Sequence, residues 1–507
     1  MSLVKSTATI GIYTLISRVL GFIRDVTIAS GLGASMLSDA FFVAFKLPNF
    51  LRRLFAEGAF NAAFVPKFAG MLATDGNGKA KQFASEAMSF LLLVLFIVTA
   101  VLIAIMPWFM YVLAPGFADN PTKFELTIAL TRITMPYIIF ISLVSLLGGM
   151  LNSSGKFAAV AATPIIMNLC LIIIPYCIED VTPNGAYALA IAVMASGVLQ
   201  WIWLVYFCYK ADLLPTLKKP KLTDDVKKLL LLMAPVALGA GVAQINLVID
   251  MIIASHFGSG VSYLYYADRI NELPLAVIGI ALGTALLPML SRHIREGNHE
   301  AAYRSQHRAI ELGLFLSAPA AVALIILAEP VITVMFQRGA FGAAETEATY
   351  KALMAFALGL PAFILIKILG PAFFAHEDTK TPFKIATCCV VLNLVLNLIL
   401  MGPLKHVGMA LATSIAGWVN VILMATVLHK RRWLQATSTL TYEIIRILAT
   451  TLAMAALLMP ANLYVLEYMA AREIVRFTTL LTVVAGGCAS YFAVAYMLNT
   501  IGIRKRI

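Results

Sequence analysis

Long apolar runs separated by short polar stretches recur along the whole chain. Fourteen of them, near 8–30, 36–66, 86–113, 125–150, 157–178, 185–209, 229–256, 263–290, 305–328, 346–371, 382–402, 407–429, 440–464 and 475–502, have spanning length. Each reaches the roughly 20 residues that a helix needs to cross a hydrocarbon layer about 30 Å thick. Barrel strands would read as short alternating segments instead. The pattern therefore predicts an all-α polytopic membrane protein with about 14 transmembrane helices.

Composition agrees. The chain is 61% hydrophobic and only 13% charged, with a mean hydropathy of +0.89, whereas soluble domains carry about 25% charged residues. Arg18 and Arg24 interrupt the first apolar run, so it is expected to stay as a helix rather than act as a cleaved leader. The six cysteines (170, 177, 208, 388, 389 and 488) lie in apolar runs without metal-type spacing and read as small core fillers. The seven histidines form no HExxH or similar ligand cluster.

Basic residues outside the spans set the orientation. With the N-terminus inside, twenty-three fall on the inner face and five on the outer: Lys123, Arg338, Lys405, Arg472 and Arg476. Both termini are thus expected in the cytoplasm. Much of the +12 net charge is topological, and nucleic-acid binding is not indicated.

An internal repeat organises the chain. "IASGLGASMLSDAFFVAFKLP", ending at Pro48, parallels "IASHFGSGVSYLYYADRINELP", ending at Pro274, and Ile28 and Ile253 are 225 residues apart. The same offset of 225 relates Pro136 to Pro361 and Asn168 to Asn393. A duplicated six-helix unit follows, with both copies in the same orientation, related by a pseudo-twofold axis along the membrane normal. The expected division is an N-lobe at 1–210 (spans 1–6), a cytoplasmic linker at 211–228, a C-lobe at 229–432 (spans 7–12), and 433–507 with spans 13 and 14.

Charges inside the spans concentrate in spans 1 and 2 (Arg18, Arg24, Asp25, Asp39, Lys46, Arg52, Arg53, Glu57) and in spans 7 and 8 (Asp250, Asp268, Arg269, Glu272). Burying such groups in lipid is costly. At about 100° per residue, Asp39, Lys46, Arg53 and Glu57 fall within about 40° of one line. Arg18 and Asp25 share a face, and Arg24 lies about 120° away unless the helix bends near Gly21. Asp268, Arg269 and Glu272 have the spacing to neutralise one another within a turn. One reading makes these charges stapling ion pairs or snorkelling groups, and Arg132 and Arg446 fit it. For spans 1, 2 and 8 the excess of basic over acidic residues favours a water-filled, cationic cavity between the halves. Guanidinium forks suit phosphate, which points to a transporter of an anionic, phosphate-bearing solute.

The stretches "SRVLGFIRD", "SDAFFVAFKLPNFLRRLFAEGAFNAAFVP", "APGF", "YYADRINELP" and "LPMLS" resemble the MurJ/MviN family of lipid II flippases. That family sits within the superfamily of multidrug, oligosaccharidyl-lipid and polysaccharide exporters. The resemblance covers essentially the whole chain. It implies a bacterial cytoplasmic-membrane transporter rather than an enzyme, with no catalytic residue. It also implies export of the undecaprenyl-diphosphate-linked peptidoglycan precursor from the inner to the outer leaflet by alternating access. The implied substrate-binding residues are Arg18, Arg24, Arg52, Arg53 and Arg269, with diphosphate contact assigned to Arg18, Arg24 and Arg269. Asp25, Asp39, Glu57, Asp268 and Glu272 are implied gate or ion-pair groups. The implied partners are lipid II and membrane lipids, with peptidoglycan-synthesis machinery as a further candidate.

No GxxxxGK[ST] stretch is present, and no cofactor is expected. A coupling ion, Na+ or H+, is the open question, with Asp250, Asn393 and Asn397 as its candidate ligands; helix-to-helix hydrogen bonding is the plainer reading of all three. Among alternatives, a flippase for another polyprenyl-diphosphate-linked oligosaccharide differs only in the 39–66 signature. A drug/cation antiporter would need an acid-dominated site. A membrane-embedded transferase would need a catalytic loop larger than "KADLLPTLKKPKLTDDVKK", which reads as a solvated connector.

Overall fold

A computed structural model describes residues 3–53, 60–435 and 437–505. In chain order its helices are α1 (Leu3–Leu32), α2 (Met36–Leu51), α3 (Asn61–Thr74), α4 (Gly76–Ala104), α5 (Met106–Leu113), α6 (Pro121–Thr134) and α7 (Tyr137–Ser153). There follow α8 (Phe157–Ala161), α9 (Thr163–Ile178), α10 (Gly185–Lys210), α11 (Asp224–Ala254), α12 (Gly260–Pro274), α13 (Ile280–Arg295) and α14 (His299–Ile326). The last are α15 (Ala328–Phe336), α16 (Ala343–Ala357), α17 (Leu360–Ala375), α18 (Lys380–Lys430), α19 (Ser438–Glu467) and α20 (Glu473–Met497). No strand occurs among the described residues, and the all-α expectation holds.

Ten helical segments among the described residues are long and apolar enough to cross a membrane. Predicted spans 1, 2 and 7 are not among the ten. Spans 1 and 7 nevertheless coincide with the 30-residue α1 and the 31-residue α11. Span 2 is divided between α2 and α3, with 54–59, including Glu57, outside the described residues. The 51-residue α18 contains predicted spans 11 and 12. It breaks at Lys405, whose φ of 50° is non-helical, and turns back on itself. The Asn393 amide donates to the Thr413 hydroxyl at 3.3 Å, a contact that a straight helix would separate by about 30 Å. A Cβ on Gly408 would lie 2.5 Å from the Leu400 carbonyl oxygen, so only glycine permits that close return.

The chain forms two compact units, residues 1–262 and 263–507. In the first, stacked phenylalanines fill the core: Phe64 lies between Phe60, Phe68 and Phe83 at centroid distances of 4.9–5.5 Å. Gly197 of α10 lets the Tyr137 ring approach so closely that a Cβ would sit 2.7 Å from it. In the second, Ile364, Ile368 and Phe373 of α17 pack with Leu286 and Leu290 of α13, Ile310 of α14 and Leu428 of α18. A further cluster joins α14 to the two C-terminal helices, where the Tyr491 hydroxyl donates to the Phe315 carbonyl at 2.7 Å. Cys170, Cys208 and Cys389 are buried as expected, but Cys177, Cys388 and Cys488 are exposed. Their apolar runs present one face outward, which the linear pattern does not show.

Candidate functional site

The α1 helix runs unbroken through Gly21, so Arg24 is not released by a local unwinding. It is buried instead, at 5% exposure. Its Nε and Nη2 donate to Asp25 Oδ1 at 3.0 and 2.7 Å, and Nη1 donates to Asn168 Oδ1 at 3.0 Å. Asn168, on α9, completes the bridge by donating Nδ2–H to the Ser17 carbonyl at 2.9 Å. Arg18, two turns earlier, is exposed.

Asp39 follows the capped start of α2, where Ser35 and Ser38 form a reciprocal capping box. It is wholly buried at 0% exposure. Its cation is a lysine from another helix: Lys123 Nζ lies 2.6 Å from Asp39 Oδ2, and also donates to the Gly258 carbonyl at 2.7 Å. The same ammonium sits 3.9 Å above the Phe117 ring. Asp39 Oδ1 accepts the Ser262 backbone N–H at 2.8 Å and the Ser262 hydroxyl as well. Ser262 lies in the first turn of α12, so the carboxylate caps a helix N-terminus that favours negative charge. Nearby, the Gly116 N–H donates to Ser255 Oγ at 3.0 Å, and a Cβ on Gly116 would stand 2.5 Å from the Ser255 carbonyl. The "APGF" stretch is thus where the chain presses against the 255–262 segment.

Lys123, counted by the charge pattern with the outer-face basic residues, is not a solvent-exposed loop lysine: its exposure is 7%. It occupies the first turn of α6, where a cation opposes the helix dipole, so a carboxylate partner is required. One signal was available in sequence: its place six residues after "APGF".

The other candidates are wetter. Arg52 is partly buried, with Nε donating to Asn49 Oδ1 at 3.2 Å, and Arg53 is exposed. Arg269 is 35% exposed and Glu272 48% exposed in their side chains, and they pair at 3.1 Å, the local neutralisation that the spacing implied. The Arg269 guanidinium also lies 5.5 Å from the Tyr265 ring centre. Asp268 is partly buried on the same helix. Arg132 and Arg446 behave as structural groups: Arg132 Nε donates to the Ile103 carbonyl, and Arg446 pairs with Glu443 at 3.0 Å.

Of the cation-site candidates, Asp250 accepts the Asn246 amide at 3.2 Å on α11. Asn397 donates to Asn393 at 2.9 Å on α18. Among the described residues no three His, Cys, Asp or Glu side chains gather as a metal site.

A family profile described as "Lipid II flippase MurJ" matches residues 28–484. The chain belongs to the MurJ lipid II flippase family. Family relatives include a "Probable lipid II flippase MurJ" of Rhizobium meliloti, 41% identical over 98% of this chain and 94% of that one. The counterpart in Rickettsia prowazekii is 38% identical over 99% of each, and the "Lipid II flippase MurJ" of Burkholderia cenocepacia is 37% identical over 85% of this chain and 84% of its own. A solved family structure, "Lipid II flippase MurJ, inward closed conformation", superposes with a TM-score of 0.81 at 27% identity, covering 97% of this chain and 99% of that one. A multidrug-resistance MATE family transporter in an inward-facing conformation shares the fold at a TM-score of 0.66 and 15% identity, over 84% of this chain and 96% of its own.

Proposed function

We propose that the chain is a lipid II flippase, moving the undecaprenyl-diphosphate-linked peptidoglycan precursor from the inner to the outer leaflet of the bacterial cytoplasmic membrane by alternating access. The observation that carries this reading is the match, along nearly the full length, to relatives and to a solved structure bearing that name. The excess of basic residues on one side supports placing both termini in the cytoplasm.

Individual roles follow from accessibility. Arg18 in the first unit is exposed and Arg269 in the second is partly so; each is a contact for the diphosphate during its passage. Arg24 must first leave Asp25 and Asn168, so its availability depends on conformation. An inside-negative potential contributes about 2.3 kcal/mol per charge per 100 mV and favours outward movement of an anion, so no nucleotide site is needed. Asp250, partly buried beside Asn246, is the candidate group for a coupling cation, Na+ or H+. Collapsing the sodium gradient and the potential separately distinguishes the two drives.

Depleting the protein in cells and assaying the precursor leaflet by leaflet tests the function. Outer-leaflet precursor is expected to fall and return on re-expression. An unchanged distribution would refute the reading.

A further inference from the structure

The lysine-rich stretch between α10 and α11 reads in sequence as a solvated connector, yet its backbone is docked on α4. The Thr216 N–H donates to Ser85 Oγ at 3.0 Å and the Lys218 N–H to Ser89 Oγ at 2.9 Å. Ser85 and Ser89 are buried and lie about one turn apart. The register fits, because two residues of extended chain span about 6.6 Å and four helical residues about 6 Å. Lys81 pairs with Asp212 at 3.3 Å before this stretch, and the Thr223 hydroxyl donates to Glu86 at 3.0 Å after it. The chain therefore descends along α4 from Lys81 to Ser89 and returns to Glu86.

The lowest part of that descent carries Leu217, Lys218, Lys219, Pro220 and Lys221, all exposed, and no Asp or Glu occurs between Leu213 and Thr223. Beneath it opens a shallow apolar groove of about 370 Å³, continuous with its surroundings, walled by Leu92, Phe96, Ile139, Leu217 and Pro220. Phe96 is 67% and Leu217 73% exposed. The placement rests on the orientation proposed above: with α4 entering the membrane from the inner face, the three lysines at the polar end of the groove fall near the level of lipid phosphates.

The geometry points to a bound anionic phospholipid of the inner leaflet, its phosphate held by Lys218, Lys219 and Lys221 and one acyl chain lying in the groove. The charge is complementary, and each lysine near a membrane surface contributes about 1 kcal/mol with anionic lipid. This site uses none of the arginines assigned to the transported diphosphate.

Full-length protein reconstituted in nanodiscs containing equal phosphatidylglycerol and phosphatidylcholine, followed by native mass spectrometry, tests it. Preferential retention of phosphatidylglycerol is expected, weakening as salt is raised. Each Lys→Gln change at 218, 219 or 221 is expected to lower the apparent affinity about fivefold. Leu93→Trp, which fills the groove from its rim, is expected to remove retention while the melting temperature in detergent stays unchanged. Equal retention of phosphatidylcholine, or retention unaffected by the triple Lys→Gln variant, overturns the inference. So does displacement of the retained lipid by undecaprenyl diphosphate, which would assign the groove to the transported lipid.

Discussion

Residues 28–48 and 253–274 align as copies of one unit, and they handle charge in opposite ways. In the first copy Asp39 is dry and held by a lysine 84 residues away, by a helix start and by a serine hydroxyl. In the second, Arg269 and Glu272 neutralise each other within a turn and stay a third to a half exposed. The repeated asparagines diverge similarly. Asn168 ties α9 to Arg24 and to the α1 backbone, whereas Asn393 binds Asn397 and Thr413 within one helical hairpin. The buried carboxylate is thus tied to a cation far along the chain, whereas the exposed pair forms within one turn of its own helix.

The contrast is sharpest at Lys123. Lys123→Met leaves the Asp39 carboxylate buried without its cation, and is expected to cost about 3–5 kcal/mol, lowering the melting temperature by on the order of 10 °C. Adding Asp39→Asn is expected to recover most of that loss in thermal unfolding. If the single and double variants melt alike, the pair does not hold the unit. Next in size, Asn168→Leu leaves buried Arg24 short of an acceptor at a cost of about 1–3 kcal/mol. Asn393→Leu removes contacts to Asn397 and Thr413 of its own hairpin, and denaturation of the two variants side by side is expected to rank them in that order.

For the wet pair, Glu272→Ala is expected to change stability by less than about 1 kcal/mol. A larger loss would place Glu272 with the structural groups.

The smallest effect is a pH dependence in the second unit. Burial, chiefly, holds the His406 imidazole below its usual range, while its Nε2–H donates to the Ala348 carbonyl. The unfolded chain therefore binds a proton more readily. Stability from this group is fully present above about pH 6.5 and declines as pH falls through the lower folded value. His406→Gln is expected to flatten that slope in melting curves taken between pH 7.5 and about 5.

Much of the fold was legible because membrane insertion imposes length and apolarity on each helix, and α9, α10, α14, α19 and α20 lie close to where the runs placed them. The constant offset also exposed the duplication, through Asn168 and Asn393. Pairing was less legible. Helical angles placed Arg24 off the Arg18–Asp25 face, but a long, flexible guanidinium reaches its neighbour's carboxylate directly. The burial of Lys123 was not legible because counting lysines outside apolar runs treats a helix's first turn as solvent. The docking of the linker backbone was not legible because Ser85 and Ser89, ordinary small residues in an apolar helix, become acceptors only once the strap lies against them.

The division between structural and carrying charges is tested most directly by flipping of fluorescent lipid II in proteoliposomes, normalised to folded protein, for Arg18→Ala and Arg269→Ala. The account predicts at least a tenfold loss of rate for each variant with the melting temperature unchanged. Full flipping by either would contradict it.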